Sequence, residues 1–153
     1  MTPEQEIYEN AARVIEGCAP LSGLGSRFGY NRESIEWLDG YINRLRDSGK
    51  FKEQEHLKNL TITFGCFLGE CIRAAHGGAW RERDGACGVF FEDSSGAFPF
   101  SKVRKQLDSD SGGFHSILSF YDLLPRIQSG EFDKQAEPDL PKWKATLRRW
   151  FGR

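Results

Sequence analysis

Ile7, Ala11, Val14 and Ile15 recur at intervals of three and four residues, which predicts that the chain opens with one buried helical stripe. Thr2-Pro3-Glu4-Gln5 supplies its start: Thr2 can cap, Pro3 suits the first helical position, and Gln5 completes a capping box. The pattern predicts this helix to about Gly17. A glycine-rich segment, CAPLSGLGSRFGYN, then reads as irregular over residues 18–31, because its breakers stop either period from persisting. Asn31 offers the next N-cap, and Ile35, Leu38, Ile42 and Leu45 form a second stripe, widened by Trp37 and Tyr41 and stopped by Gly49. The longest periodic run is Leu57, Leu60, Phe64, Phe67, Leu68, Cys71, Ile72 and Ala75, which predicts a helix from about Phe51 to His76, ended by Gly77-Gly78.

Beyond those glycines the period changes from helical to extended. AWRERDG, ACGVFFEDSSG and AFPF are short aromatic or β-branched segments separated by Asp84-Gly85 and by Asp93-Ser94-Ser95-Gly96, both turn compositions. They predict a three-stranded antiparallel meander whose last strand is at an edge or ends at Pro99, since proline cannot donate to a ladder. FSKVRKQL continues as a short helix, DSDSGG as a loop, and Ile117, Leu118, Tyr121 and Leu124 as a further helical face that Pro125 ends or kinks. The fold class is therefore α+β, with N-terminal helices including one long central helix, the meander, and C-terminal helices. Residues 1–137 read as one globular domain and residues 138–153 as a basic amphipathic C-terminal helix, packed on that domain or used for partner contact.

A chain of 153 residues can bury a single core without disulfide or metal staples. Cys18, Cys66, Cys71 and Cys87 form no C-x-x-C pair and no secretory signal precedes the first helix, so free thiols and a cytoplasmic setting are expected. No apolar run reaches the length that spans a bilayer. The net charge of −1 argues against a nucleic-acid footprint, yet residues 138–153 carry +4 and the rest of the chain −5. Leu140, Trp143, Leu147, Trp150 and Phe151 fall near one face of that basic segment, a composition that makes a further alternative, an adaptor that touches an anionic membrane or a nucleic acid through this helix.

The stretch TFGCFLGECIRAAHGGAW concentrates the candidate chemistry. Gly65 and Gly69 share one side of the long helix, and each costs about 1 kcal/mol relative to alanine, so a close approach by another element is the expected reason for them. Cys71 and His76, five apart, point to different faces, and Cys71 sits in the apolar stripe, where a thiol behaves as a small hydrophobe. Glu70 and Arg73 follow Cys66 on its own face and make the enzyme alternative, a small hydrolase or transferase using Glu70, Arg73 and Cys66, although neither is a base poised for a thiol. His56, His76 and His115 are scattered and DSDSGG departs from a calcium loop at its fifth and twelfth places, so neither metal nor cofactor is expected. GLGSRFG follows a helix with the wrong spacing for a dinucleotide fingerprint.

From Tyr30 to about Pro125 the chain resembles a widespread bacterial family of small domains, on the residues ESIEWLDGYINRLR, FGCFLGECIRAAHGGAW, GVFFED, FPFSKVRKQL and SILSFYDLLP. It departs from that pattern in having DSDSGG where a shorter Asn-Gly turn is expected. The resemblance implies a small single-domain protein of the kind sometimes encoded near secreted toxins, with no catalytic residue set attached. The expectation is a non-enzymatic protein-binding domain, such as an immunity protein that blocks a toxin. Its contacts are Glu92 and Asp93 at the strand turn, Asp108 and Asp110 in the glycine-bearing loop, and Trp80 as an aromatic whose alternative is a place in the core. Gly65, Gly69, Gly77 and Gly78 are structural.

Overall fold

Thr2 caps the first helix with its side chain while Gln5 caps Thr2 in return, at 3.1 and 2.8 Å, so the capping box is complete. The computed structural model describes residues 2–50, 52–108 and 115–128. Helix α1 (Pro3–Ser22) buries Ile7, Ala11, Val14 and Cys18 and runs past Gly17, through Pro20, to Gly23 at φ 75°. The irregular segment expected from residue 18 thus begins only after Ser22. Burial of Cys18 extends the stripe by one more turn, while Gly17 and Pro20 lie on the exposed side, where water can satisfy the carbonyl that proline leaves unbonded. A single 3₁₀ turn, Gly25–Arg27, leads to Phe28, which is buried against Phe67 (ring centroids 5.6 Å apart) and Trp37 (5.8 Å).

Helix α2 (Arg32–Ser48) is capped by the Asn31 side chain, which accepts from Ser34 N at 2.9 Å, and ends at Gly49 in the left-handed region. Helix α3 (Gln54–His76) starts three residues later than its apolar period suggests, because the preceding Glu53 is the N-cap residue. It is the axis of the fold: between Thr61 and Ile72 it is buried on nearly every side, with α1 packed along it and helix α4 (Pro99–Asp108) along another flank. A helix enclosed in this way must be apolar or small all round, which is why glycines and cysteines interleave its large side chains.

Strands β1 (Ala79–Arg83), β2 (Ala86–Phe90) and β3 (Gly96–Ala97) form an antiparallel sheet in the order β1-β2-β3. Asp84 and Gly85 carry φ of 54° and 81° between β1 and β2, with Arg83 opposite Ala86 across a two-residue turn. That conformation follows the right-handed twist of the flanking strands. Strand β2 is buried at every position. Its inward Cys87 and Val89 join the main core, while Ala86, Phe90 and Phe98 make a small second cluster. Strand β3 is an edge and ends before Pro99, which opens α4 instead. No described helix is long and apolar enough to cross a membrane.

Helix α5 (Ile117–Gln128) continues through Pro125 and is joined to the body by a polar network around Gln106. The Gln106 side chain has no solvent exposure. Its Nε2 donates to the Asp39 and Asn43 side chains, each at 3.0 Å, and its Oε1 accepts from Ile117 N at 2.8 Å. Asp39 also accepts from the Ser116 hydroxyl at 2.8 Å. Residues 138–153, read above as a basic C-terminal helix, lie outside the described residues.

Candidate functional site

Two places on the molecule hold the residues singled out by the sequence. The first is the C-terminal half of α3. Glu70 Oε2 accepts from Arg73 Nη1 and from Trp80 Nε1, both at 2.9 Å, and Arg73 Nε donates to the Gly78 carbonyl at 3.3 Å. One carboxylate therefore clips the end of α3, the glycine crossing and β1 together. The Trp80 ring sets its Cζ2–Cη2 edge against the helix at Gly69, and the Phe100 ring of α4 lies against Gly65; a methyl group on either glycine would overlap the ring beside it. The glycine strip is thus filled by two aromatic rings, one from the sheet and one from a helix, 5.6 Å apart.

That packing corrects the expected role of Trp80. Only 6% of the residue is exposed and its indole N–H is bonded, so its ring belongs to the core and is not a contact for a partner. Gly77 and Gly78, at φ 76° and 99°, turn the chain from helix to strand, and Gly78 also lies against Val89 and Phe91, where a side chain has no room.

The enzyme alternative meets the same geometry. Cys66 is fully buried, and its thiol is pushed well up, first by burial and then by the neighbouring Cys87, Glu70 and Glu6. Burial likewise raises Cys71 and Cys87, although a backbone hydrogen bond to Asn31 partly offsets the shift at Cys71. Thiolates are therefore disfavoured where the protein holds its cysteines, and Glu70 and Arg73 are engaged with each other. Cys66 is sealed in the core, whereas Glu70 and Arg73 are only partly buried and bond to each other.

The second place is the turn between β2 and β3. Glu92 and Asp93 are exposed on it. Phe91 N donates to Ser95 O at 2.9 Å, and Asp93 Oδ1 accepts from the Ser95 hydroxyl at 2.6 Å and from Ser95 N at 3.0 Å. Arg83 Nη1 donates to the Ser94 carbonyl at 2.9 Å, and its guanidinium lies 4.6 Å from the Phe90 ring centre. The Ser95 hydroxyl, and then its N–H, hold the Asp93 carboxyl below the usual carboxylate range, so it stays ionised at neutral pH. Glu92 sits on a ridge between two open hollows. One, of about 330 Å³, is lined by Arg81, Arg83, Phe90 and Ser94 among others; the second, of about 360 Å³, is lined by His76, Gly77, Gly78, Phe91 and Asp93. Burial lowers the His76 pKa, which keeps the imidazole neutral in the second hollow.

The expected carboxylate group does not form one surface. Asp108 ends α4 beside its ion-pair partner Arg104 (3.7 Å), and Arg104 also donates to Gln54 at 3.1 Å, which puts Asp108 at the N-terminal end of α3. Glu92 and Asp93 line a hollow with His76 and Gly77 at the opposite end of that helix. At 1.5 Å per residue the two ends of α3 are roughly 30 Å apart, so Asp108 and the Glu92/Asp93 turn do not form one local cluster. Asp110 lies outside the described residues. Among those residues no cluster of His, Cys, Asp and Glu could hold a metal ion.

Sequence reasoning missed the basic side of this region. Arg81 and Arg83 alternate with Glu82 on β1, and their period of two was the available signal that both arginines face one way. No family model matches the chain, and neither a curated protein nor a solved structure matches it.

Proposed function

We propose that this protein is a non-enzymatic protein-binding domain of the immunity type, which presents the β2–β3 turn to a basic partner and blocks that partner's cleft. One observation carries the proposal: Glu92 and Asp93 stand exposed on a turn already fixed by its own hydrogen bonds and by Arg83, with a hollow on either side. A turn held in one conformation before binding loses little entropy on docking. Exposed carboxylates accelerate encounter with a positive surface, and the hollow lined by Glu92 and Asp93 offers space for a basic side chain. The resemblance to a bacterial family with members near toxin genes supports the same reading and makes a toxin the partner class. Buried free thiols suit the reducing cytoplasm in which such a protein would meet its partner.

The test uses the purified full chain and the product of any toxin gene adjoining its own. The wild-type chain binds, and raising salt slows association far more than it speeds dissociation. The double variant Glu92→Gln/Asp93→Asn loses at least about tenfold in association rate with unchanged melting. A chain ending at residue 137 retains binding. Full binding by the double variant, or loss of binding only on truncation, refutes the proposal and moves recognition to the basic C-terminal segment.

A further inference from the structure

Strand β1 is one edge of the sheet, and its register decides which main-chain groups face outward. Arg83 and Ala86 flank a two-residue turn with both central φ positive, a geometry that closes on a hydrogen-bonded flanking pair. Bonded and non-bonded pairs then alternate along an antiparallel ladder. Ala79, Arg81 and Arg83 therefore direct N–H and C=O toward β2, and Trp80 and Glu82 direct theirs to the open side. Among the described residues no other main-chain group bonds to Trp80 or Glu82 from that side.

The side chains on this edge have a definite chemistry. Arg81 and Arg83 project from one face, opposite Gly88 and Ala86, which the Phe90 and Phe98 rings cover on β2. Arg83 is engaged with the Ser94 carbonyl and the Phe90 ring. Arg81 is exposed and makes no hydrogen bond or ion pair with any described residue.

We propose that β1 accepts an extended acidic strand from a partner protein, which adds to the sheet through the outward N–H and C=O groups of Trp80 and Glu82 and sets carboxylates at alternate positions across from Arg81 and Arg83. A second copy of this chain fits the edge poorly. Two β1 strands paired antiparallel about a two-fold axis over their full length place Arg81 opposite Arg81, and like charges directly across a ladder repel. Charged edge positions of this kind keep copies of a protein apart. A strand with Glu or Asp at every second position turns that repulsion into attraction, while the main-chain bonds supply the docking geometry. Arg81 and Arg83 line one hollow with Glu92, so the two surfaces adjoin, and Arg81→Glu against Glu92→Gln/Asp93→Asn tells an acidic partner on β1 from a basic one on the turn.

The experiment titrates the full-length chain with a short synthetic peptide alternating Glu and Val, and with its Lys-for-Glu counterpart, following anisotropy and amide hydrogen exchange by NMR. The acidic peptide binds saturably and slows exchange at the Trp80 and Glu82 amides, whereas the Lys peptide does neither. Arg81→Glu, which removes no contact within the described fold, weakens binding about tenfold or more with unchanged melting. Glu82→Pro, which deletes an outward N–H and no ladder bond, abolishes it. Absence of saturable binding by the wild-type chain, equal binding by Arg81→Glu, protection elsewhere than Trp80 and Glu82, or self-association through β1 on sedimentation would each overturn the proposal.

Discussion

Replacing Gly69 by alanine adds one methyl group where the Trp80 ring lies against the helix backbone. The exchange alone should favour a helix by about 1 kcal/mol, so an unobstructed Gly69 would make the variant more stable. The ring obstructs it. Overpacking a closed site costs about 1–3 kcal/mol, and a ring pushed off the helix also loses its bond to the Glu70 carboxylate, worth about 1.5–3 kcal/mol. Ring and bond relax together, so these terms do not simply add. We expect a net destabilisation of about 2 kcal/mol, which lowers the melting temperature of a domain this size by about 4–8 °C. Urea and thermal unfolding of Gly69→Ala measure this directly. A mutant cycle sharpens it: in a Trp80→Ala background the obstruction is gone, and Gly69→Ala should become neutral or stabilising. If Gly69→Ala melts at or above the parent temperature, or destabilises equally in both backgrounds, the ring does not occupy the glycine strip and the reasoning is wrong.

Gln106→Leu should destabilise by about 2 kcal/mol, because it strands the fully buried Ile117 N–H, while the partly exposed Asp39 and Asn43 oxygens can turn to water; denaturant titration measures the loss. Cys66→Ala should leave partner binding intact, and a thiol-specific reagent should label Cys18, Cys66, Cys71 and Cys87 only as the protein unfolds, since burial raises all four thiols; rapid labelling of any of them in the native protein would contradict their buried placement.

Local signals were legible in the sequence wherever a few neighbouring residues decide the structure. Thr2 and Asn31 announced their helices, Asp84-Gly85 its hairpin, and the spacing of Gly65 and Gly69 the need for a close neighbour. The identity of that neighbour was not legible, because Trp80 and Phe100 reach the glycines only through the path of the chain between them. Gln106 was missed for a similar reason: within KVRKQL it has the composition of a surface residue, and its burial follows from α2 and α5 closing over it. The proposed acidic surface came apart because Glu92 and Asp108 are near in sequence while α4 carries Asp108 back along the length of α3. The helix boundary at Gly17 was misplaced because glycine and proline on a solvated face break a helix less than a buried Cys18 extends it.

The clip made by Glu70 on Trp80 joins residues only ten apart in sequence. By contrast, Phe100 reaches Gly65 across a much longer stretch, and α1 packs on α3 with all of α2 between them. The entropy of closing a loop rises with its length, and folding rates fall as contacts become less local. The end of α3 and the β1–β2 hairpin are therefore the part of the chain that can assemble first, from a helix, two glycines and a turn, before any distant segment arrives. By the same reasoning the N-terminal helix docks after that unit, and the α2–α5 contacts, such as Arg32 with Asp122, close the longest loops. Trp80→Phe should accordingly slow folding, whereas Ala11→Gly should mainly speed unfolding, and the opposite pattern in stopped-flow kinetics would reverse that order.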